Sequence, residues 1–210
     1  MMAEPGPRVA DTLPGDERAT RAPRHGAAVS VSAPGPATDP PAITVRLAAL
    51  TDALAIRAIY NQEVMHTTAT FDLVPRSLDD QRDWLAARSG AFAAIVAVHD
   101  GEVVGFASLS PYKERAAYRT TVEDSIYVRG DQQGRGVGKL LLTHLLEVAE
   151  ASGFHAVMAR IEASGDASRA LHAACGFELV GIEREVGRKF NRWLSVAVMQ
   201  RVLGDPVRTL

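Results

Sequence analysis

The chain of 210 residues lacks several features that would place it in specialised classes of protein. It has one cysteine, Cys175, which excludes an internal disulfide framework and a zinc site built from several cysteines. Its formal net charge of −2 gives no strong field toward nucleic acid or an acidic membrane. No apolar run approaches the roughly 20 residues of a membrane helix, and the first residues lack the apolar stretch of a secretory signal. We therefore expect a cytoplasmic globular protein with no metal, nucleic-acid or membrane partner.

Aromatic residues are missing from the first part of the chain. Residues 1–42 contain eight of the eleven prolines and no Phe, Tyr or Trp. Such a segment cannot bury enough apolar surface to offset the entropy lost on ordering, so we predict a disordered tail. Two other interpretations stay open: an organellar transit peptide, which the acidic residues of the segment disfavour, and a start codon assigned too early. The folded domain is then predicted to span residues 43–203, followed by a C-terminal tail at 204–210.

From residue 43 onward the apolar residues follow regular periods. Thr51 is predicted to cap a first helix, and Ser77 with Asp80 has the spacing of a capping box at the start of a second. The order of elements is β-α-α-β-β-β-α-β-α-β-β, which predicts an α/β (α+β) fold with a mixed sheet and helices on both faces. Further helices are expected at 137–151 and 167–174. Strands are expected at 43–47, 92–98, 103–109, 120–128, 155–161, about 177–186 and about 193–202.

A glycine-rich loop joins the fourth predicted strand to the longest predicted helix. Gly134, Gly136 and Gly138 allow the backbone to approach a ligand closely, and the helix N-terminus behind them favours an anion. A dinucleotide-binding G-x-G-x-x-G would need glycine in place of Lys139, and a Walker A loop would need a hydroxyl residue in place of Leu140. What remains is Gln133-x-x-Gly136-x-Gly138. The alternative is a glycine-rich helix entry that binds no ligand.

This pattern is the Q/R-x-x-G-x-G/A signature of the GNAT acetyltransferases, and residues 43–203 resemble one group of them, the phosphinothricin and methionine sulfone or sulfoximine N-acetyltransferases. The resemblance implies the GNAT acyl-CoA N-acyltransferase fold, a twisted mixed sheet whose fourth and fifth strands separate. It is carried by these stretches: IYN at 59–61, HTTATF at 66–71, PYKERAAY at 111–118, TVEDSIYV at 121–128, LHAACGF at 171–177 and KFNRW at 189–193.

The same resemblance implies acetyl-CoA as co-substrate, no metal, and a homodimer. The pantetheine arm would lie between the separated strands and pair with the backbone near residues 126–128. The amine acceptor would be a small amino acid or analogue that attacks directly in a ternary complex. The residues predicted to bind the cofactor are Ile126, Tyr127, Val128, Gln133, Gly134, Arg135, Gly136, Val137, Gly138, Lys139 and Ser168.

Acetyl transfer requires a base for the ammonium group, a donor to the oxyanion, and an acid for the departing thiolate. Glu123 resembles the acidic residue that the family places on this strand, and we predict that it is the base. Strand alternation puts Asp124 on the opposite face, so it is the weaker candidate. The Val128 N–H, freed by a bulge at the strand end, is the predicted oxyanion donor. His172 stands where many GNAT enzymes have Tyr and is the candidate acid.

The acceptor is predicted to contact Phe71, Tyr112, Arg115 and Tyr118, because arginine binds a carboxylate well and the aromatic rings can wall a pocket. The chain departs from the family pattern at Gly165, where Asn is usual, and at Asn191 and Ser195, where Gly and Asp are usual. These departures weaken the choice of acceptor more than the choice of cofactor. Two alternatives stay open: a GNAT enzyme that acts on a protein N-terminus or a polyamine, and a non-catalytic acyl-CoA sensor.

Overall fold

A computed structural model describes residues 42–88 and 90–204. The predicted tail at 1–42 lies outside the described residues except for Ala42, and the predicted C-terminal tail lies outside them from residue 205 onward. Within the described ranges no helix is both long and apolar enough to cross a membrane.

The described chain forms seven strands and four α-helices in the predicted order. The helices are α1 (Ala53–His66), α2 (Leu78–Ala86), α3 (Val137–Ala151) and α4 (Asp166–Ala174). The strands are β1 (Thr44–Leu47), β2 (Ala94–His99), β3 (Glu102–Pro111), β4 (Thr121–Val128), β5 (Ala156–Glu162), β6 (Glu178–Lys189) and β7 (Arg192–Val202).

The strands form one mixed sheet in the order β1-β2-β3-β4-β5-β7-β6. Neighbouring strands are antiparallel except β4 and β5, which are parallel. The parallel pair is short. It begins at Thr121↔Ala156 and ends at Glu123↔Met158, although both strands continue beyond this point.

The two faces of the sheet carry separate hydrophobic clusters. On one face α3 packs through residues at helical spacing, including Val137, Leu141 and Leu145, each no more than 1% exposed. On the other face α1 and α2 pack through Ile56 and Leu85 against the sheet. Helices therefore cover both faces, as the sequence predicted.

The N-terminal cap predicted for α2 is present, but the one predicted for α1 is not. Ser77 accepts a hydrogen bond from the Asp80 N–H (3.1 Å), and the Asp80 carboxylate accepts one from the Ser77 N–H (3.0 Å), so the capping box is confirmed. The Thr51 cap is wrong. Residues Leu50–Asp52 form a 3₁₀ turn, and α1 begins only at Ala53. The Asp52 carboxylate accepts from the Ala49 N–H and from Arg46, which holds this turn.

Candidate active site

The separation of β4 from β5 opens a cleft of about 940 Å³ in the middle of the sheet. Besides these two strands, its walls come from the segment after α1, the loop before α3, and the first turns of α4. The split that the resemblance implied is therefore present, and the cleft lies inside it.

The glycine-rich loop forms one end of this cleft. Gly134 and Gly136 have φ of 73° and 84°, in the left-handed region where a residue with a side chain is strained. A Cβ atom built on either glycine would meet no atom within 4 Å, so the space in front of the loop is open. Behind it α3 begins at Val137 and presents unpaired N–H groups and the positive end of its dipole. A diphosphate fits this site in size and charge.

Not every residue predicted to bind the cofactor faces the cleft. The side chain of Arg135 is exposed and donates to Gln132 Oε1 (2.9 Å), and Val137 is buried in the core, so neither lines the cleft. The remaining predicted residues do line it: Ile126, Tyr127, Val128, Gln133, Gly134, Gly136, Gly138, Lys139 and Ser168.

The backbone of Val128 is turned toward the split. In the β3–β4 pairing the Arg129 N–H donates to the Val104 carbonyl (2.9 Å), which places Val128 opposite Gly105 in a pair that shares no hydrogen bonds. The Val128 N–H therefore points away from β3 and into the cleft. The expected bulge in β4 is wrong, because the register with β3 runs without a shift from Val122 to Val128. The N–H is free because pairing with β5 has already ended.

Glu123 stands where β4 and β5 part, and its half-buried side chain lines the cleft. Burial raises the pKa of this carboxyl, Arg160 opposes the shift, and the charges of Asp124 and Glu183 add to it. In the described part of the chain Glu123 forms no ion pair with an arginine, so its carboxyl group is not held in a salt bridge there. Arg160 pairs with Glu183 instead (3.0 Å).

His172 lies on α4 at the cleft wall, where both of its ring nitrogens have partners. Nδ1 is 2.7 Å from the Ser168 carbonyl and must donate to it, while Nε2 is 3.0 Å from Asp124 Oδ2. Burial acts to lower the pKa of His172, but the hydrogen bond and charge of Asp124 and the bond to Ser168 outweigh it, so the pKa is raised. The other oxygen of Asp124, Oδ1, is buried with no hydrogen-bond partner among the described residues.

The segment between α1 and α2 closes the opposite wall of the cleft. Lys189, which is 4% exposed, donates from Nζ to the Thr70 carbonyl (2.8 Å). The ring of Phe71 lies over Gly187, where any side chain would collide with it. Thr68 donates to Glu162 Oε2 (3.1 Å) and so connects this segment to the end of β5. These contacts hold Phe71 at the cleft wall.

The other three residues predicted to contact the acceptor lie outside the residues that line the cleft. Tyr112 and Tyr118 form an edge-to-face pair with ring centroids 5.7 Å apart, and Lys113 Nζ lies 4.6 Å from the Tyr112 ring centroid. Arg115 precedes a 3₁₀ turn at Ala116–Tyr118 and is exposed. The structure therefore joins Phe71 to the cleft but does not bring these residues to it.

Sequence reasoning missed Asp124 as the partner of His172, and Thr68 with Glu162. Alternation on β4 placed Asp124 on the face opposite Glu123, and in the structure His172 of α4 contacts it there, so this pair left a usable signal. The contact of Thr68 with Glu162 left none, because the two residues are 94 positions apart in the sequence.

Comparison with known proteins agrees with this geometry. The sequence profile described as "Acetyltransferase (GNAT) family" matches residues 56–177. The chain belongs to the GNAT acetyltransferase family. An L-methionine sulfoximine/L-methionine sulfone acetyltransferase of Pseudomonas paraeruginosa is 42% identical over 168 residues, which cover 79% of this chain and 97% of the relative.

Two solved structures extend the comparison to the fold. A GNAT superfamily phosphinothricin acetyltransferase from Sinorhizobium meliloti, in complex with acetyl-CoA, has a TM-score of 0.77 and 38% identity, over 80% of this chain and 92% of that one. A ribosomal-protein-alanine N-acetyltransferase from Brucella melitensis has a TM-score of 0.75 and 38% identity, over 76% and 99% of the two chains. The sequence-based identification of the family and of the fold is confirmed.

The protein is thus a GNAT N-acetyltransferase, which removes the alternative of a non-catalytic acyl-CoA sensor. Its co-substrate is acetyl-CoA, which supplies the acetyl group as a thioester. The open glycine loop and the α3 N-terminus fit the diphosphate, and the free edge of β4 fits the pantetheine amides. Among the described residues no cluster of three or more His, Cys, Asp and Glu side chains is arranged to hold a metal ion.

Proposed function

We propose that this enzyme acetylates the amine of a small amino acid or an analogue of the phosphinothricin or methionine sulfone and sulfoximine type, by direct attack in a ternary complex. The observation that carries this proposal is the position of Glu123. Its half-buried carboxyl, with a raised pKa, faces the cleft where β4 and β5 part, five residues before Val128 in the same strand. The names of the relatives supply the class of acceptor.

Three groups of this chain divide the chemistry. Glu123 removes a proton from the acceptor ammonium, directly or through a water molecule, and its raised pKa brings it closer to that of the amine it serves. The Val128 N–H donates a hydrogen bond to the oxyanion that develops during transfer. His172 protonates the departing thiolate from Nε2, which requires this N–H to leave its bond to Asp124. Phe71 supplies an apolar wall for the acceptor, and Tyr112, Arg115 and Tyr118 stay predicted contacts.

A screen of acceptors tests the proposal. The purified enzyme is incubated with acetyl-CoA and a panel of amino acids, sulfones, sulfoximines and phosphinothricin, and release of the CoA thiol is measured. We expect saturable release with at least one small amino acid analogue. Release with peptides alone would contradict the proposal.

A protein N-terminus is the second candidate acceptor. Two observations favour it: Tyr112, Arg115 and Tyr118 do not close the cleft, and one structural relative is a ribosomal-protein-alanine N-acetyltransferase. Peptides with N-terminal alanine in the same assay distinguish the two candidates, because a small-molecule enzyme would turn them over far more slowly than free amino acids.

We also propose that the enzyme is a cytoplasmic homodimer. The single cysteine suits a reducing compartment. For the dimer, the supporting observation is the apolar surface of the last two strands, where β6 is the edge of the sheet. Exposed apolar side chains follow this hairpin at Leu179, Val180, Ile182, Val186, Phe190 and Trp193. A patch of this kind is typical of a protein interface.

A further inference from the structure

A second, smaller cavity lies behind the cleft, between the sheet and the helices α1 and α2. Its volume is about 80 Å³, enough for two or three water molecules or one small ion. Tyr60, Ser125 and Tyr127 belong to the walls of both the cavity and the cleft, so the two spaces share a partition. The reaction proposed above uses no residue that is confined to this cavity.

Two arginine side chains line this space, and the guanidinium groups of both lie near the ring of Trp84. The Cζ atom of Arg88 lies 3.7 Å from the centroid of the Trp84 ring, and that of Arg76 lies 5.1 Å from it and 3.7 Å from the centroid of Tyr60. The pKa of Arg88 is lowered to about 10 by burial and by the charge of Arg76. Both cations thus lie near the same aromatic ring, and each side chain is partly buried.

The charges around the cavity do not balance. Arg76 has one carboxylate partner, Asp72, at 3.9 Å, and Asp72 also accepts a hydrogen bond from the Tyr60 hydroxyl. Arg88 donates to two neutral groups, the Trp84 carbonyl and Ser110 Oγ (both 3.1 Å), and forms no ion pair in the part of the chain that the structure describes. Its Nε atom is buried with no partner there. Two cations and one carboxylate leave one positive charge without compensation.

Hydroxyl groups complete a site for an anion. Ser108, 1% exposed, and Ser125 project toward the cavity from adjacent strands, where they are paired across β3 and β4. A buried charge is costly unless an opposite charge or strong hydrogen bonds accompany it. We infer that the cavity between Arg76 and Arg88 binds one small monovalent anion, a halide or a carboxylate, with the two serine hydroxyls as further donors.

The anion has two possible sources, the solution or the carboxylate of an amino-acid acceptor that reaches through the shared partition. The first source does not depend on the proposed reaction. It is tested on the enzyme without acetyl-CoA or acceptor, by melting in potassium chloride, bromide or formate against potassium gluconate at equal ionic strength, since gluconate is too large for the cavity. We expect a saturable rise of about 2–4 °C at a few times the dissociation constant.

Two arginine variants show whether the rise in melting temperature comes from anion binding in the cavity. Arg88→Gln should abolish the rise, whereas Arg82→Gln should keep it, because Arg82 is an exposed residue of α2 that pairs with Asp79 and is remote from the cavity walls. Both changes remove one positive charge. A salt effect that persists in Arg88→Gln overturns the inference. Should Arg88→Gln fail to fold, crystals of the unaltered enzyme grown in bromide decide, because the anomalous peak must lie between Arg88 and Ser108.

A kinetic arm identifies the source. If the acceptor carboxylate occupies the cavity during turnover, chloride should compete with an amino acid and raise its KM, but should not raise the KM of the matching amine that lacks the carboxylate. If a free ion occupies it, the KM of both acceptors should respond alike. Equal melting in all four salts, together with no bromide peak in the cavity, would overturn the site altogether, independently of whether the proposed acceptor is correct.

Discussion

His172 Nε2 and Asp124 Oδ2 are 3.0 Å apart, and the two side chains are 4% and 2% exposed. An imidazole in this position is bound to acceptors on both sides, so the doubly protonated ring is the form that satisfies its surroundings. The pair joins α4 to β4 across the cleft wall. The pair therefore stabilises the packing of α4 on β4 and keeps His172 protonated near the proposed reaction.

Replacing Asp124 by Asn should lower the pKa of His172 and destabilise the protein in a pH-dependent manner. The pKa of His172 is higher in the folded state than its unfolded value of about 6.5. Its protonation therefore contributes fully to the free energy of unfolding below pH 6.5, and this contribution is lost as the pH rises through the folded pKa. The loss in the variant, about 3–5 kcal/mol for breaking a buried pair, should thus be largest below pH 6.5 and shrink at higher pH. Denaturant unfolding across pH measures it. In the His172→Gln background the pH dependence of the Asp124→Asn effect should vanish; if it survives, another group is responsible.

Replacing Glu123 by Gln should lower kcat/KM near neutral pH by roughly 10²–10⁴-fold, because the side chain keeps its shape but loses its basicity. Acetyl-CoA binding should barely change. Higher pH should partly restore the rate, since more of the acceptor is then already deprotonated. Steady-state kinetics from mildly acidic to strongly basic pH provide the measurement, and a deficit that is equal at every pH would show that Glu123 only positions the acceptor.

Glu183→Gln is a matched carboxylate change outside the cleft. The negative charge of Glu183 raises the pKa of Glu123, whereas the positive charge of Arg160 lowers it. Glu183 also forms an ion pair with Arg160. Without it, the pKa of Glu123 should fall, so the acidic limb of the kcat/KM profile should move to lower pH while the plateau is kept. A pH profile measured beside the unaltered enzyme checks this, and an unchanged limb would argue that another group titrates there.

Gly136→Asp should abolish the stabilisation by acetyl-CoA, which for the unaltered protein is about 2.7 kcal/mol at a hundredfold excess over the dissociation constant. The substitution places a negative charge in the open space before the α3 N-terminus, where the diphosphate is expected. Gly136→Asn is the control, because Asn has the same size and tolerates a positive φ. Thermal melting with and without acetyl-CoA measures the stabilisation, which Gly136→Asn should reduce only in part. Equal affinity in Gly136→Asp and the unaltered enzyme would exclude the loop from the cofactor site.

Trp193→Glu should convert a dimer into monomers if the β6–β7 hairpin forms the contact. Trp193 is 62% exposed, and burying a charge at an apolar interface is costly. Leu54→Glu is the comparison, since Leu54 on α1 is 61% exposed but lies away from this hairpin. Light scattering at micromolar concentration should give the dimer mass for the unaltered protein and for Leu54→Glu, and the monomer mass for Trp193→Glu. A monomer mass for the unaltered protein would refute the dimer.

The sequence predicted the elements well where local signals were strong. The glycines before α3, the Ser77 capping box and the alternation on β4 all reflect contacts within a few residues, and each is confirmed. The predicted cap at Thr51 failed because Asp52 is drawn into an ion pair with Arg46 on β1, a contact that periodicity does not reveal. Thr68 with Glu162, and Lys189 with Thr70, are brought together only by the folded chain.

The short pairing of β4 with β5 has a mechanical consequence. Seven residue pairs join β3 to β4 and seven join β5 to β7, but three join β4 to β5. Beyond the seam at Thr121–Glu123 the backbones of β4 and β5 are not paired, and the gap is spanned by side chains, among them Asp124 with His172 and Thr68 with Glu162. The width of the gap is therefore set by side-chain packing and not by a ladder of backbone hydrogen bonds. The amides of Ile126 and Val128, on the open side, should exchange with solvent deuterium quickly in the free protein and slow down once a ligand spans the gap.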